Sequence, residues 1–231
     1  MSKNAFDADG EIVHGAMRPK DAATLILVKR DGEPRVLMGQ RHSGLAFMAG
    51  KYVFPGGRVD AGDQRIAAAS ELRPEVLENL SAGCSAARAR GLALAAIREA
   101  FEETGVVVGT RVEKCPRTRS PGWAKYFAHG IMPGLDALDF IARAITPPNR
   151  PRRFDARFFM ADASAIAHVV EDAANEELLK PCWLTLAEAR ALDLPSITRR
   201  VLEEVEARLS RGPRPVLFFK FQRGKASLST L

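Results

Sequence analysis

The sequence predicts an α/β fold in which helices cover both faces of a sheet. Short apolar runs typical of strands alternate with stretches whose apolar residues recur every three or four positions, as they do in amphipathic helices. In the second half, predicted strands at 157–160 and 182–184 precede predicted helices at 186–192 and 198–208. Strands interspersed with helices in this way pack as an α/β/α sandwich.

Length and composition favour one domain over residues 1–231. The chain has 231 residues and 46% hydrophobic content, which suits a single core with room for an insertion. No stretch reaches the roughly 18 to 20 consecutive apolar residues of a membrane helix, and residues 1–20 are polar without an apolar signal core. We therefore expect a soluble, cytoplasmic protein without a membrane partner.

The charge balance predicts an anionic partner. Lys and Arg number 34 against 28 Asp and Glu, a formal net charge of +6. The basic runs near Arg117 and Arg150 lack the interleaved aromatic residues of a nucleic-acid reader, so a phosphorylated small molecule is favoured over nucleic acid. Three widely separated cysteines show no metal-ligand spacing and are expected to be semi-buried thiols: Cys84, Cys115 and Cys182.

The first half begins with a predicted β-hairpin. The runs TLILV at 24–28 and RVLM at 35–38 are joined by the turn-prone sequence DGEP at 31–34. A further strand, KYVFP at 51–55, leads into Gly56-Gly57, where close backbone approach is possible. The strand-to-glycine junction is a candidate for a site that needs an exposed backbone.

Two helical stretches follow. Residues 64–91 are rich in Ala, Glu, Arg and Leu, with Pro74 at a plausible helix start and a break at 81–83, and are interpreted as a helical insertion. Residues 92–104 predict a helix that Gly105 ends, with Leu94, Ile97 and Phe101 on its apolar face. A further helical pattern is present near residues 135–144.

The helix at 92–104 carries a cluster of carboxylates. Glu99, Glu102 and Glu103 stand at i, i+3 and i+4 and fall within about 100° of one face. Three like charges destabilise an isolated helix, whereas a bound Mg²⁺ or Mn²⁺ would reverse that effect and could activate water against a phosphate compound. A solvated acidic helix face is the alternative that the glutamates alone leave open.

The sequence around these glutamates resembles a known motif. REAFEETGV at 98–106 matches the second half of the Nudix box, and FPGGRVDAGD at 54–63 resembles its first half. The box is split, because residues 64–97 occupy a gap that is seven residues long in an unbroken box. Asp63 stands at the early acidic position, where Glu is usual. The resemblance implies a Nudix-type α/β/α sandwich with a mixed sheet and an insertion inside the box.

A split box is similar to the Nudix branch that includes the mammalian peroxisomal coenzyme A diphosphatase. The segments ITP at 145–147, RFDARFF at 153–159 and LPS at 194–196 also resemble that branch. The stretch 37–50 resembles the coenzyme A signature only faintly, since an RS pair of the signature is replaced by Arg41-His42. Coenzyme A or acyl-coenzyme A is therefore one substrate hypothesis among several.

The resemblance implies roles for individual residues. Glu99, Glu102 and Glu103 would bind Mg²⁺ or Mn²⁺ together with the backbone carbonyl of Gly56. The catalytic set would be Glu103, Glu102 and Arg98, with Arg98 holding a box carboxylate. The general base is left open between Glu103 and a loop carboxylate that reaches across the site.

Further candidates come from the flanking segments. Arg41, Lys51 and Arg58 could neutralise substrate phosphates, and Gly57 lets the loop pass close to the helix and the substrate. Some relatives place an extra catalytic or metal-binding Glu after the strand at 157–160, where the chain carries three glutamates that could serve as an extra acid or base: Glu171, Glu176 and Glu177. The alternative for each of these residues is an ordinary solvated side chain, which is the more common role of a charged loop residue.

These observations predict a metal-dependent hydrolase of a phosphoanhydride bond in a nucleoside diphosphate linked to another moiety. The alternative is a non-catalytic Nudix-fold module for ligand sensing or nucleic-acid contact. Intact box glutamates favour the enzyme. The sequence leaves open whether the chain forms a homodimer.

Overall fold

The computed structural model describes residues 18–44, 48–148, 150, 152–171, 177–222 and 225–231. The strands, in chain order, are β1 Lys20–Lys29, β2 Arg35–Arg41, β3 Tyr52–Val53, β4 Gly56–Arg58, β5 Val106–Arg111, β6 Ile131–Pro133, β7 Asp139–Ile145, β8 Phe154–Asp162, β9 Ile166–Val169, β10 Leu178–Thr185, β11 Leu217–Gln222 and β12 Lys225–Thr230. The helices are α1 Pro74–Ser81, α2 Ala86–Thr104, α3 Pro121–Phe127, α4 Leu186–Ala191 and α5 Ser196–Arg211. None of the helices in this described part of the chain combines the length and apolar character needed to cross a bilayer.

The main sheet is mixed, as the box resemblance predicts. Its strand order is β10-β2-β1-β8-β7-β11-β12, with β3 paired to β2 and β4 paired to β1. The β1·β8 and β7·β11 pairs are parallel, and the other pairs of this sheet are antiparallel. A smaller sheet of order β6-β5-β9 lies after α2 in the chain. The sheet therefore brings β1, β2 and β4 together beside α2.

Both faces of the main sheet are covered, which confirms the α/β/α sandwich. Along β1, Leu25 and Leu27 pack into the core that α1 and α2 share, whereas Ile26 and Val28 pack into the core under α4 and α5. Successive side chains of a strand point to opposite faces, so a central strand buried on both faces has a continuous apolar run rather than an alternation. The run TLILV has this character.

Several sequence expectations are confirmed. The hairpin forms, with β1 antiparallel to β2 and Val28 opposite Val36. The two C-terminal helices are present as α4 and α5, and strands are present at both predicted positions, β8 and β10. Gly105 ends α2 in the left-handed conformation at φ 72°. The three cysteines are free and partly exposed.

Two expectations about helices are wrong in part. The stretch 135–144, interpreted as helical, leads into strand β7, because its run of buried residues at 140–142 is covered on both faces of the sheet and carries no helical period. Residues 64–91 contain a single α-helix of their own, α1, and their last residues already belong to α2. Helix α2 begins at Ala86, because Ser85 caps it by accepting a hydrogen bond from the amide of Arg88.

The RFDARFF segment lies in β8, where it forms a buried ion cluster beneath the beginning of α2. Arg157, only 1% exposed, pairs with Asp155 at 2.9 Å and with Asp21 at 3.2 Å. Arg143 and Arg88 add bidentate contacts to Asp155 and Asp21 respectively. Buried charges are tolerated when they are paired in this way, so the segment joins β1, β7 and β8 to α2.

Candidate functional site

The glutamates of α2 lie on the face of the helix that meets the glycine segment of β4. The apolar residues Leu94 and Ile97 are fully buried against the sheet, which fixes the rotation of the helix about its axis. Of the three glutamates, Glu103 is buried at 3% exposure, whereas the side chains of Glu99 and Glu102 are 15% and 34% exposed. The cluster therefore extends from the protein interior at Glu103 to solvent at Glu102.

The two glycines of β4 contact two of these glutamates directly. The amide of Gly56 donates a 2.8 Å hydrogen bond to Oε2 of Glu103. Gly57 lies against the carboxylate of Glu99 so closely that a Cβ atom at position 57 would overlap it. Pairing of β4 with β1, with Gly57 opposite Ala23, holds the glycines in this position. The structure thus joins the two halves of the split box.

Arg98 links the carboxylates of the site. Its Nη1 donates to Oε1 of Glu99 at 2.8 Å and to Oε2 of Glu102 at 2.9 Å, while its Nη2 donates to the carbonyl of Arg58 at 2.8 Å. Its Nε and Nη2 bind the two oxygens of Asp63, each at 3.0 Å. Asp63 is fully buried, so an aspartate at the early acidic position forms a bidentate ion pair with this arginine.

Burial shapes the electrostatics of the site. It raises the pKa of Glu103 to about 8, although the Gly56 amide works in the opposite direction. Burial also raises the pKa of Glu99 to about 7, against the charge of Arg98. For Arg98 itself burial works to lower the pKa, but Asp63, Glu99 and the other carboxylates outweigh it and the pKa lies above its ordinary value. The negative charge of the cluster is thus held at a cost to the metal-free protein.

The three glutamates do not surround a single point. Within the ranges that the structure describes, no group of three or more His, Cys, Asp or Glu side chains is arranged to hold a metal ion. Glu99 and Glu102 instead share Arg98, and Glu103 faces the Gly56 amide. Their donor chemistry is nevertheless that of a hard divalent cation, because all are carboxylate oxygens on one helix face.

The three cations proposed for substrate binding have different surroundings. Arg41 ends β2, and its charge acts on the pKa of Glu103, which places it beside the site. Arg58 is exposed and lines an open cavity of about 430 Å³ with Lys20. Lys51 forms a 3.0 Å ion pair with Asp193, in the segment between α4 and α5. Arg41 therefore acts on Glu103, and the carbonyl of Arg58 accepts from Arg98. Lys51 lies beside Arg41, whose amide donates to the Lys51 carbonyl, and its ammonium is directed at Asp193.

The three candidate loop glutamates also differ in how they relate to the glutamates of α2. Glu177 precedes β10, its carbonyl accepts a hydrogen bond from the amide of His42, and its charge raises the pKa of both Glu99 and Glu103. Glu171 is exposed just after β9. Glu176 lies outside the described residues. Glu177 is thus the described loop glutamate whose charge acts on the cluster.

Helix α3 adds two contacts that the sequence did not indicate. The indole Nε1 of Trp123 donates a 2.8 Å hydrogen bond to Oδ1 of Asp63, and Gly122 lies directly against the carboxylate of Glu102. Neither residue belongs to the box, and neither shows a spacing that relates it to the glutamates. Only the tertiary structure reveals that α3 forms a wall of the site.

Comparison with known proteins supports the fold. No protein-family model matches the sequence, and no curated protein matches it significantly. Among solved structures, the chain is similar to a NUDIX hydrolase from Alicyclobacillus acidocaldarius, at 23% identity over 81% of this chain and 90% of that one, with a TM-score of 0.59. It is also similar to the NUDIX domain of Shewanella oneidensis NrtR, solved with ADP ribose, at 13% identity over 84% and 90% of the two chains and a TM-score of 0.50. These likenesses show that the chain has the Nudix fold.

Proposed function

We propose that this protein is a divalent-metal-dependent hydrolase, which cleaves a phosphoanhydride bond in a nucleoside diphosphate linked to another moiety. The observation that carries the proposal is the contact of Glu99 and Glu103 with the glycines of β4, on the helix face that also carries Glu102. Burial there raises the pKa of two of the three, an arrangement that favours binding of a cation. We further propose that residues 1–231 form one domain with an insertion at 64–91.

Mg²⁺ or Mn²⁺ would be held by the three glutamates, with the carbonyl of Gly56 as a further ligand. These are oxygen donors, which suit hard cations. Arg98 is a counter-ion of Glu99 and Glu102, and the charge of Arg41 acts on Glu103. When bound, such a cation supplies charge neutralisation for the phosphates and lowers the pKa of water. Because the glutamates are not arranged around one point here, binding would draw on their side-chain freedom.

The residues of the chain supply the remaining chemistry. Glu103 is the proposed general base, because its buried carboxylate is more basic than an ordinary glutamate and lies at the β4 glycines beside the other two glutamates. The Gly56 amide keeps the Glu103 carboxylate directed at the β4 loop. Arg98 restrains Glu99 and Glu102 on the same face. Glu177 is a second proposed acid or base, on the strength of its electrostatic effect on Glu99 and Glu103.

The surroundings of the glutamates support an anionic, extended substrate. Arg41, Lys51 and Arg58 are the proposed phosphate-binding residues. The cavity that Arg58 and Lys20 line lies beside Arg88 and Gly91 in the first half of α2, and a substrate held by Arg58 could extend into it. The similar NrtR domain was solved with ADP ribose, which belongs to the proposed substrate class. Within that class we propose coenzyme A or acyl-coenzyme A as one substrate, because the split box and the RFDARFF segment resemble the branch that contains a coenzyme A diphosphatase.

The proposal is tested with a panel of candidate substrates, and products are identified by mass. The panel contains coenzyme A, acyl-coenzyme A, NADH, ADP-ribose, nucleotide sugars and dinucleoside polyphosphates, each with Mg²⁺ and with Mn²⁺. We expect at least one member to yield two phosphorylated products only when a divalent ion is present. If no member is cleaved, and a member instead binds without turnover, the chain is a ligand-binding module and the hydrolase proposal is wrong.

A further inference from the structure

Two consecutive residues at the beginning of α3 contact the two ends of the Arg98 network. Trp123 is fully buried, and its indole N–H donates to Asp63. Gly122 faces Glu102, and a Cβ atom there would overlap the glutamate carboxylate and come within 3.3 Å of Cδ of Arg98. The beginning of α3 therefore contacts both Asp63, the buried partner of Arg98, and Glu102, the more exposed of the two glutamates that Arg98 binds.

The acceptor capacity of Asp63 is fully used. Oδ1 accepts from Trp123 Nε1 at 2.8 Å and from Arg98 Nε at 3.0 Å. Oδ2 accepts from Arg98 Nη2 at 3.0 Å and from the amide of Asp60 at 2.8 Å. A carboxylate offers about four lone-pair sites, so each donor removes one direction in which this side chain could turn. The indole is the one side-chain donor of this set that comes from outside the box.

The indole is itself held in place. Its ring lies 5.0 Å from the ring of Tyr126 and 5.8 Å from that of Phe127, and Tyr126 contacts Phe101 of α2 edge-on at 5.4 Å. Tyr126 also donates a hydrogen bond from its hydroxyl to the carbonyl of Val108 in β5. Packed aromatic rings of this kind have few alternative rotamers. The packing of these rings against α2 thus sets the position of Trp123, and the indole N–H transmits it to Asp63.

From these contacts we infer that Trp123 is a positioning residue of the proposed hydrolase: it orients Asp63, and through Asp63 it orients the guanidinium of Arg98. Arg98 in turn restrains Glu99 and Glu102, which are the proposed metal ligands. Loss of the indole donor leaves one oxygen of Asp63 with a single partner, so the arginine fork and both glutamates gain freedom. The inference rests on the proposed function.

The test compares Trp123→Phe with Tyr126→Phe. Both substitutions remove one buried hydrogen-bond donor from α3 and keep an aromatic ring, but only the first donor reaches Asp63. Outer partners of metal ligands typically contribute about 10- to 100-fold to metal affinity or activity. We expect Trp123→Phe to weaken Mn²⁺ binding, measured by the electron paramagnetic resonance of free Mn²⁺, and to lower kcat, each by about tenfold or more, with little change in KM. Tyr126→Phe should change each by less than about threefold, a difference of about 0.7 kcal/mol.

A second pair of variants tests whether Trp123 acts through Asp63. In an Asp63→Asn background the indole has lost its charged partner, so we expect Trp123→Phe to add little to the loss that Asp63→Asn already causes. Independent, multiplying effects of the two substitutions on Mn²⁺ affinity would contradict the inference. Equal effects of Trp123→Phe and Tyr126→Phe would contradict it as well.

If Trp123→Phe does not fold, the donor can be removed without changing the ring. Trp123 and Trp183 are the two tryptophans of the chain, so a Trp183→Phe background allows the benzothiophene analogue of tryptophan to be placed at 123 alone. This analogue lacks the N–H, and we expect the same loss of Mn²⁺ affinity; unchanged affinity would overturn the inference. A wild-type protein that neither binds Mn²⁺ nor cleaves any substrate would contradict the proposed function, whereas an active wild type with an unaffected Trp123→Phe variant contradicts this inference alone.

Discussion

The amide of Gly56 donates a 2.8 Å hydrogen bond to Oε2 of Glu103, across 47 positions of the sequence. This bond joins the glycine segment of β4 to the helix that carries the glutamates. It also gives a buried carboxylate a hydrogen-bond donor, which partly offsets the burial that raises its pKa to about 8. The relationship explains how an interrupted box can form one site: α2 and β4 are neighbours in the fold although residues 59–85 separate them along the chain.

Replacing single glutamates tests the site directly. We expect Glu102→Gln and Glu103→Gln to fold and to lower kcat by a factor on the order of 100 or more, since each removes negative charge beside the proposed metal and water. The matched control is Glu203→Gln, which alters an exposed glutamate on α5 that pairs with Arg200. Steady-state kinetics at saturating Mg²⁺ provide the measurement. Full activity of both site variants would rule out the proposed metal-binding role.

The raised pKa values predict how the stability of the metal-free protein depends on pH. Glu99 and Glu103 ionise near 7 and 8 in the folded protein, against an ordinary value of 4.5. The folded state therefore binds more protons than the unfolded state above pH 4.5, so the free energy of unfolding falls as pH rises and levels off above about pH 8. We expect a lower melting temperature at pH 9 than at pH 7 in the presence of chelator, and a smaller decrease in Glu103→Gln.

The pH range over which these melting temperatures can be compared has a lower limit, which His129 sets. Burial, with a contribution from His168, lowers the pKa of His129, so that residue changes stability in the opposite direction below about pH 6.5. Measurements between pH 7 and 9 avoid this effect. A wild-type melting temperature that rises across this window would show that the two glutamates are not the groups that dominate it.

Divalent ions should stabilise the protein, because a ligand that binds only the folded state adds RT ln(1 + [L]/Kd). At 100 times Kd the gain is about 2.7 kcal/mol, or roughly 5 to 10 °C in melting temperature for a chain of this size. Differential scanning fluorimetry with millimolar Mg²⁺ or Mn²⁺ measures this shift, and chelator should abolish turnover. The Glu99→Gln, Glu103→Gln double variant should lose most of the shift, and a wild type that responds to neither ion would favour a ligand-binding module.

The close approach at Gly57 predicts a specific defect. A Cβ atom in Gly57→Ala would overlap the Glu99 carboxylate, which can move only by leaving its present contact with Arg98. We expect kcat to fall by at least about tenfold while unfolding changes by less than about 1 kcal/mol, because a side chain rather than backbone yields. Gly62→Ala, in the loop that follows β4 and with open space around its Cα, is the control. Equal activities of the two variants would contradict the close approach.

Coenzyme A is expected to be among the better substrates, giving 3′,5′-ADP and a phosphopantetheine product. The physical reason is charge: its 3′-phosphate and pyrophosphate carry about four negative charges, which a basic cleft drawing on Arg41, Lys51 or Arg58 would attract. The measurement is kcat/KM for coenzyme A, NADH and ADP-ribose at one metal concentration. A value for coenzyme A more than about tenfold below either rival, or about 1.4 kcal/mol in transition-state binding, would reject this substrate and leave the hydrolase proposal intact.

Local patterns predicted the elements and the orientation of the main helix. The helical period of 3.6 residues places Leu94 and Ile97 on the face opposite the glutamates. In the structure Leu94 and Ile97 are buried against the sheet, and Glu102 is partly exposed to solvent. The same reasoning failed at β7, where a strand covered on both faces has no alternation to distinguish it from a helix. The same reasoning predicted no strand at β5 and placed the beginning of α2 too late in the chain. The periodic pattern of apolar residues does not change at either point.

The sequence by itself determined which side chains α2 presents together, because the helical period is a local property of the chain. It also indicated the glycine segment, because two adjacent glycines mark a possible close approach wherever they pack. Only the tertiary structure decided what surrounds these groups: Lys51 pairs with Asp193, whereas Trp123 reaches Asp63 across 60 positions of the sequence. Such contacts depend on how distant elements pack against one another, and no periodicity within either segment encodes them.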